Sequence, residues 1–213
     1  MGSDHSSADH YFSAQPAGPE KRRPLTVVLD GESRNLTTSA GIFSPDGVDK
    51  GTAILLAEAP PPSPTGNLLD IGCGWGPVAL TLALRSPEAS VYAVDVNSRC
   101  VALTNDNAAA LGLGNVTASR PEEVDAALEF STIWSNPPIR VGKEELHALL
   151  LHWLPRLAPG GSAYLVVQKN LGSDSLQRWL DAQLRGRFPA AGFRVSREST
   201  AKSFRILKVA RPD

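Results

Sequence analysis

Leu68-Leu-Asp-Ile-Gly-Cys-Gly-Trp-Gly76 decides how this chain is read. An apolar run ends in Asp70 and gives way to glycines at alternate positions, Gly72, Gly74 and Gly76, with Cys73 between the first two. Beyond them Val78-Ala-Leu-Thr-Leu-Ala-Leu84 predicts a buried helix. A strand running into Gly-x-Gly-x-Gly lets the backbone turn tightly and approach a ligand where a Cβ would collide. A dinucleotide site would instead read Gly-x-Gly-x-x-Gly/Ala, and here Pro77 holds that third slot. An ordinary glycine-rich turn is the plainer alternative, and Cys73 reads as a small filler rather than a redox group.

Downstream, Ser90-Val-Tyr-Ala-Val-Asp95 is a second buried strand, ending in an acid 25 residues after Asp70. A carboxylate there suits a two-oxygen grip on ribose hydroxyls, which makes Asp95, with Val96 after it, a cofactor-contact candidate. A helix is expected over 98–111, with Val101, Thr104, Ala108 and Leu111 on its inner face, followed by a weak strand over 115–119. Glu129 to Ser135 gives a fourth strand that runs into Asn136-Pro137-Pro138-Ile139. A helix over 143–157, a turn at Pro159-Gly-Gly161, a strand over 163–168 and a helix over 173–184 follow. Two closing strands, 193–197 and 204–209, joined by a short loop, place one antiparallel strand at the sheet edge. Apolar strands alternating with helices predict an α/β, doubly wound, mostly parallel sheet covered on both faces.

Upstream, 25–29 and 34–38 flank Asp30-Gly31 and read as a β-hairpin. Asp49 is the expected N-cap of a helix across Gly51 and Thr52. Residues 1–23 are expected to be a flexible extension whose Lys21, Arg22 and Arg23 are available to RNA. The remainder, 24–213, is expected to be one domain: hairpin and helix over 24–66, then the Rossmann-like core over 67–213.

The 213 residues, 42% apolar and 20% charged, have the composition of a soluble globular domain. No run approaches a membrane span, and the polar start lacks a secretion signal. Cys73 and Cys100 match no zinc spacing, so no metal is expected, and sparse cysteine fits a reducing cytoplasm. The net charge of −1 is unevenly spread: Arg185 to Asp213 carries eight basic residues against Glu198 and Asp213. A basic end attracts phosphates, and a solvated strand face explains it equally well.

Asn136-Pro137-Pro138 stands at the carboxyl end of its strand, 66 residues after Asp70. Two prolines stiffen the turn and remove two backbone donors, leaving carbonyl acceptors beside the Asn136 amide. That arrangement suits a planar NH2 group, held through the Asn136 oxygen and the Pro137 carbonyl with its lone pair aimed. Orientation, not a strong base, then carries the chemistry.

Asp-x-Gly-x-Gly-x-Gly resembles motif I of class I S-adenosylmethionine-dependent methyltransferases. The later Asn-Pro-Pro resembles motif IV of their amino-group members, with Ile139 replacing the usual aromatic. With Gly41-Ile-Phe-Ser44, Asp49-Lys-Gly-Thr52 and Gln168-Lys-Asn170, the chain from about 25 to 211 resembles the small-domain family of bacterial small-subunit rRNA guanine-N2 methyltransferases. The resemblance implies a seven-stranded Rossmann-like sheet and S-adenosylmethionine held by Asp70, Gly72, Cys73, Gly74, Gly76 and Asp95. It implies that Gly51 and Thr52 close the cofactor site, that Phe43 stands at the substrate mouth, and that Lys169 and Asn170 lie beside it. Asn136, Pro137, Pro138 and Ile139 would orient and wall the base. The adenine contact falls to Ser119, Arg120 or Glu122. Longer members carry a second, degenerate copy of the domain, whereas a single copy without internal repeat is expected here.

The reading is methyl transfer to an exocyclic amine, guanine N2 of ribosomal RNA first, with rRNA or the small ribosomal subunit as partner. Glutamine side chains, adenine N6 and a small-molecule amine share the chemistry, and a non-catalytic S-adenosylmethionine binder shares the fold. Nothing in the sequence chooses between monomer and dimer.

Overall fold

A computed structural model describes residues 20–213. Most of the expected extension, residues 1–19, lies outside the described residues. Strand β1 (Arg22–Leu29) begins earlier than expected and pairs antiparallel with β2 (Glu32–Ser39) around the Asp30-Gly31 turn. Arg22 and Arg23 belong to that strand and are ion-paired, Arg22 to Glu20 and Asp106 and Arg23 to Asp46. They are therefore not the open cations expected of a mobile arm.

Helix α1 (Lys50–Glu58) starts under the Asp49 carboxylate, which accepts from the Gly51 and Thr52 N–H groups. Such a cap is worth about 1 kcal/mol. Then follow β3 (Thr65–Ile71), α2 (Pro77–Arg85), β4 (Glu88–Val94), α3 (Ser98–Ala110), β5 (Val116–Ser119), β6 (Phe130–Ser135) and α4 (Lys143–Trp153). Strand β7 (Leu157–Gln168), α5 (Ser173–Arg187), β8 (Arg194–Ala201) and β9 (Phe204–Ala210) complete the chain. Pro77 is the first residue of α2, where a missing N–H costs nothing.

Seven strands form one sheet in the order β5-β4-β3-β6-β7-β9-β8. The antiparallel strand expected at the edge is β9, inserted between β7 and the outermost β8. Pro159-Gly-Gly161 does not break the chain into a separate turn. It lies within β7, where a register shift against β6 absorbs the extra residues.

One face of the sheet, through Ile71, Ile133, Leu165 and Leu207, packs on Leu150 and Trp153 of α4 and on Leu176, Leu180 and Leu184 of α5. The three leucines recur at i, i+4 and i+8, the stripe read from the sequence. The other face, through Leu68, Trp134, Val166 and Ile206, packs on Leu55 of α1 and Leu82 of α2. The hairpin lies over α2 and α3, with Leu29, Leu36 and Ile42 against Leu80 and Leu103. Thr104 and Ala108 of α3 are buried as expected, but Cys100, Leu103 and Asn107 complete the inner face, while Val101 and Leu111 are half-buried at its margins. The hairpin takes up a second side of α3, so its apolar surface is wider than one stripe. Among the described residues no helix is long and apolar enough to cross a membrane.

Two contacts lock β3 to α2. Asp70, buried at the end of β3, accepts from the Ala79 N–H at 3.0 Å. Gly76 holds φ at +101°, and a Cβ on it would stand 3.2 Å from Thr104 and 3.3 Å from Leu80. Gly76→Ala should therefore destabilise the fold by about 1–3 kcal/mol, read by urea denaturation.

Burial, reinforced by the charge of Asp95 and opposed by the Ala79 N–H, raises the Asp70 pKa from 3.8 to about 8. Between those values the folded chain holds a proton that the unfolded chain has released, so stability falls as pH rises across that window. Asp70→Asn keeps an acceptor for Ala79 and has no charge to bury. Unfolding free energy measured from pH 4 to pH 8 should fall less steeply in that variant than in the parent.

Candidate active site

Parallel β3, β4, β6 and β7 all end at one edge of the sheet, and the loops leaving them enclose a cavity of about 580 Å3. A crevice at the carboxyl ends of the strands, where connections diverge to either side of β3, is where open α/β sheets bind ligands. Gly72, Cys73 and Gly74 form one wall after β3, Asp95 and Val96 another after β4, and Asn136 to Ile139 a third after β6. Phe43, 53% exposed, stands at the mouth with Ser44.

The centre of the site is Asn136. Its Nδ2 donates to Asp49 Oδ2 at 3.0 Å and to Thr52 Oγ1 at 3.1 Å. A carboxylate can only accept, so the amide nitrogen must face Asp49, and Oδ1 is left with no donor from the described residues. The approach is close enough that a Cβ on Gly51 would lie 3.2 Å from that oxygen. Asp49 is fully engaged: Oδ1 accepts from Gly51, Oδ2 from Asn136, and both from Thr52. The sequence presents Asp49 as a helix cap within the Asp49-Lys-Gly-Thr52 motif, and a capping pattern carries no sign of a partner 87 positions away.

Pro137 presents its carbonyl differently from the expectation. The oxygen already accepts from the Ile139 N–H at 2.8 Å, a tight turn about Pro138, so one lone pair remains for a ligand. Pro138 and Ile139 line the cavity as expected.

Asp95 is held by two backbone donors, Gly74 N–H to Oδ2 at 3.0 Å and Asn97 N–H to Oδ1 at 2.9 Å. The Cys100 thiol is a third hydrogen-bond partner, so about one of the carboxylate's four acceptor positions is left for a ligand hydroxyl. Burial raises its pKa, against the pull of those two donors. A Cβ on Gly72 or Gly74 would meet no atom within 4 Å, so both leave open space in the cavity wall. Cys73 is buried, accepts a hydrogen bond from the Thr104 hydroxyl, and is driven well above its usual pKa by burial. A thiol so held stays protonated and fills space.

Other expected residues lie elsewhere. Asp70 and Gly76 sit beneath the loop, where they fasten α2 rather than line the cavity. Ser119, Arg120 and Glu122 are not among the lining residues; Arg120 pairs with Glu122 at 2.8 Å, and Pro121 forms the wall there. Lys169 and Asn170 are exposed beside the site, while their neighbours Gln168 and Leu171 line it. Trp75, overlooked in the sequence, is buried beside the cavity and donates from Nε1 to the Ser44 carbonyl at 3.1 Å. Phe204, Val166 and Leu149 are apolar lining residues of strands and helix that carried no site signal.

Charge is arranged simply. The charged side chains lining the cavity, among the described residues, are Asp49 and Asp95. The basic C-terminal stretch is largely neutralised: Arg197 and Arg205 pair with Asp174, Lys208 with Glu198, Arg211 with Glu129 and Arg185 with Asp181. Its net positive count is therefore not an open basic face.

A model of the methyltransferase small domain matches residues 33–195. Uncharacterized protein YbxB of Bacillus subtilis is 34% identical over 171 residues, covering 79% of this chain and 85% of that protein. Ribosomal RNA small subunit methyltransferase C of Pseudomonas entomophila is 32% identical over 196 residues, covering 90% of this chain and 58% of its own length. The chain thus spans little more than half of the curated relatives of that name. In fold it is similar to the T. Thermophilus 16S rRNA N2 G1207 methyltransferase (RsmC) solved with AdoMet and guanosine. The TM-score is 0.72 at 23% identity, over 93% of this chain and 52% of that one. By these matches the chain belongs to the methyltransferase small domain family.

Proposed function

We propose that this protein is an S-adenosylmethionine-dependent methyltransferase acting on an exocyclic amine, guanine N2 of ribosomal RNA, in the cytoplasm. The observation that carries the reading is the cavity-lining Asn136 amide, whose nitrogen is taken by Asp49 and Thr52 while its oxygen has no donor among the described residues. Relatives named as small-subunit rRNA methyltransferases, over most of this chain's length, support the substrate.

The cavity fits the cofactor. Asp95 keeps an acceptor position for a ribose hydroxyl beside its bonds to Gly74, Asn97 and Cys100, and Gly72 and Gly74 leave room that any Cβ would occupy. Acidic lining side chains, with no basic one among the described residues, suit a ligand carrying positive charge. S-adenosylmethionine, when bound, supplies an electrophilic methyl group on a sulfonium sulfur.

The protein's part is orientation. Asn136 Oδ1 accepts one amine hydrogen, and the remaining lone pair of the Pro137 carbonyl accepts the other. Both acceptors sit on a turn stiffened by two prolines, so the amine lone pair keeps one direction without being ordered afresh at each turnover. Asp49 serves as a positioning residue, since all its lone pairs nearest the amine are committed to Asn136, Gly51 and Thr52. Pro138 and Ile139 cover the base with apolar surface and keep water from the amine.

The test is transfer of radiolabelled methyl to small subunits, large subunits, naked rRNA and total protein. Label is expected in one small-subunit rRNA pool. Asn136→Ala should lower kcat about 10²- to 10³-fold while S-adenosylmethionine affinity changes little. Label in protein would instead assign a glutamine amide, which presents the same NH2 to the same acceptors.

Asp95→Asn replaces one acceptor oxygen by a donor. It should raise the KM for S-adenosylmethionine at least about 10-fold, with a smaller effect on kcat, and an unchanged KM would remove Asp95 from the cofactor site.

A further inference from the structure

Beside the active site lies a second groove of about 220 Å3, between α4 and α5. Helix α4 turns Lys143, Leu146 and His147 toward it, at i, i+3 and i+4, and α5 turns Ser175, Leu176 and Trp179. Ile139 and Leu171 line both this groove and the active-site cavity, so the two spaces adjoin. The His147 and Trp179 rings are stacked, with centroids 3.3 Å apart and planes 12° from parallel. Both rings are only half-buried, so the pair offers a flat, partly open surface.

The cations around this opening form a pattern. Lys50, Lys143, Lys169 and Lys202 have no carboxylate partner among the described residues. They stand at the start of α1, at the start of α4, directly after β7 and in the β8–β9 turn. The last two are neighbours, because the Lys169 N–H donates to the Ser203 carbonyl at 2.7 Å. All four belong to segments at the carboxyl edge of the sheet, outside a cavity whose own charges are acidic. Nearby Asp174 is committed to Arg197 and Arg205, and Glu144 and Glu145 share the first turn of α4 with Lys143. Positive charge outside and negative charge within suit a polyanion that delivers a base inward and keeps its phosphates at the rim.

We infer that the α4–α5 groove is a nucleotide subsite, which takes the base flanking the target on a single strand of RNA and stacks it on the His147–Trp179 pair. The flanking phosphates lie against Lys143 and Lys169. Sequence-tolerant stacking on exposed aromatic rings beside a basic track is how single strands are held. The subsite also supplies, one nucleotide away, the ring contact that Ile139 cannot make at the target. This inference rests on the RNA reading of the active site.

The test uses the full chain and a short fluorescein-labelled single-stranded RNA containing guanine, with binding followed by anisotropy and methyl transfer by label. His147→Ala and Trp179→Leu should each weaken RNA binding about 10-fold, with kcat at saturating RNA retained. Lys143→Ala should lower the slope of log Kd against log salt by about 0.7. Arg194→Ala, at an arginine without a carboxylate partner among the described residues and at the opposite edge of the sheet, should change neither. Should Trp179→Leu melt early, His147→Ala and Lys143→Ala decide alone. RNA affinity and salt slope unmoved in those two variants, or equal loss in Arg194→Ala, would overturn the subsite even where wild-type protein methylates RNA. Methyl label confined to protein would overturn the RNA reading itself, and anisotropy would still judge the groove.

Discussion

The hydrogen bonds from Asn136 to Asp49 and Thr52 are the constraint on which the site depends. They join the loop after β6 to the first turn of α1 and set the polarity of the amide at once. A donor nitrogen facing the cavity would repel an amine, whereas an acceptor oxygen holds it. Asp49 decides between these, because a carboxylate cannot donate. The same carboxylate caps α1, so the position of that helix and the orientation of the amide cannot vary separately. Gly51 permits the approach, since a side chain there would push into Asn136.

The two acids of the glycine loop divide their tasks by depth. Asp70 is buried below the loop and holds α2 to β3 through Ala79, whereas Asp95 lines the cavity and keeps an acceptor position beside its bonds to Gly74, Asn97 and Cys100. Hydrogen-bond capacity, more than charge, distinguishes them. The electrostatics of the whole molecule follow a similar layering. Acids line the pocket, Arg197, Arg205 and Arg211 are spent on ion pairs, and lysines at the loop ends keep their charge for the surroundings.

Much of this was legible in the sequence because it is local. Strand, glycine turn and helix around Asp70, the acid at the end of β4, and Asn-Pro-Pro after β6 are each short patterns, and a parallel sheet brings their ends together. What failed to show depends on distant partners. The partnership of Asp49 with Asn136 spans 87 positions, and the neutralisation of Arg205 requires Asp174 on another element. Charge counting over 185–213 sees the arginines and not those acids. The inner face of α3 was misjudged because one amphipathic stripe was assumed where the helix meets both sheet and hairpin. Pro159-Gly-Gly161 carries turn chemistry, yet pairing on both sides of a register shift keeps it within β7.

Asn107 of α3 gives the hairpin a part in this assembly. Its amide donates to the carbonyls of Thr37 and Trp75 and accepts from the Thr37 N–H, so one buried side chain ties β2 to the glycine loop. Its contacts with Thr37, like that of Asn136 with Asp49, join segments 70 or more positions apart. Contacts of such separation are made late and slow the search for the native state. During synthesis the hairpin and α1 emerge before α3 and β6, whose side chains complete these contacts. The bond between Asn136 and Asp49 is therefore among the last features to form, and a chain halted before residue 136 carries the glycine loop with the cap of α1 still lacking its amide partner.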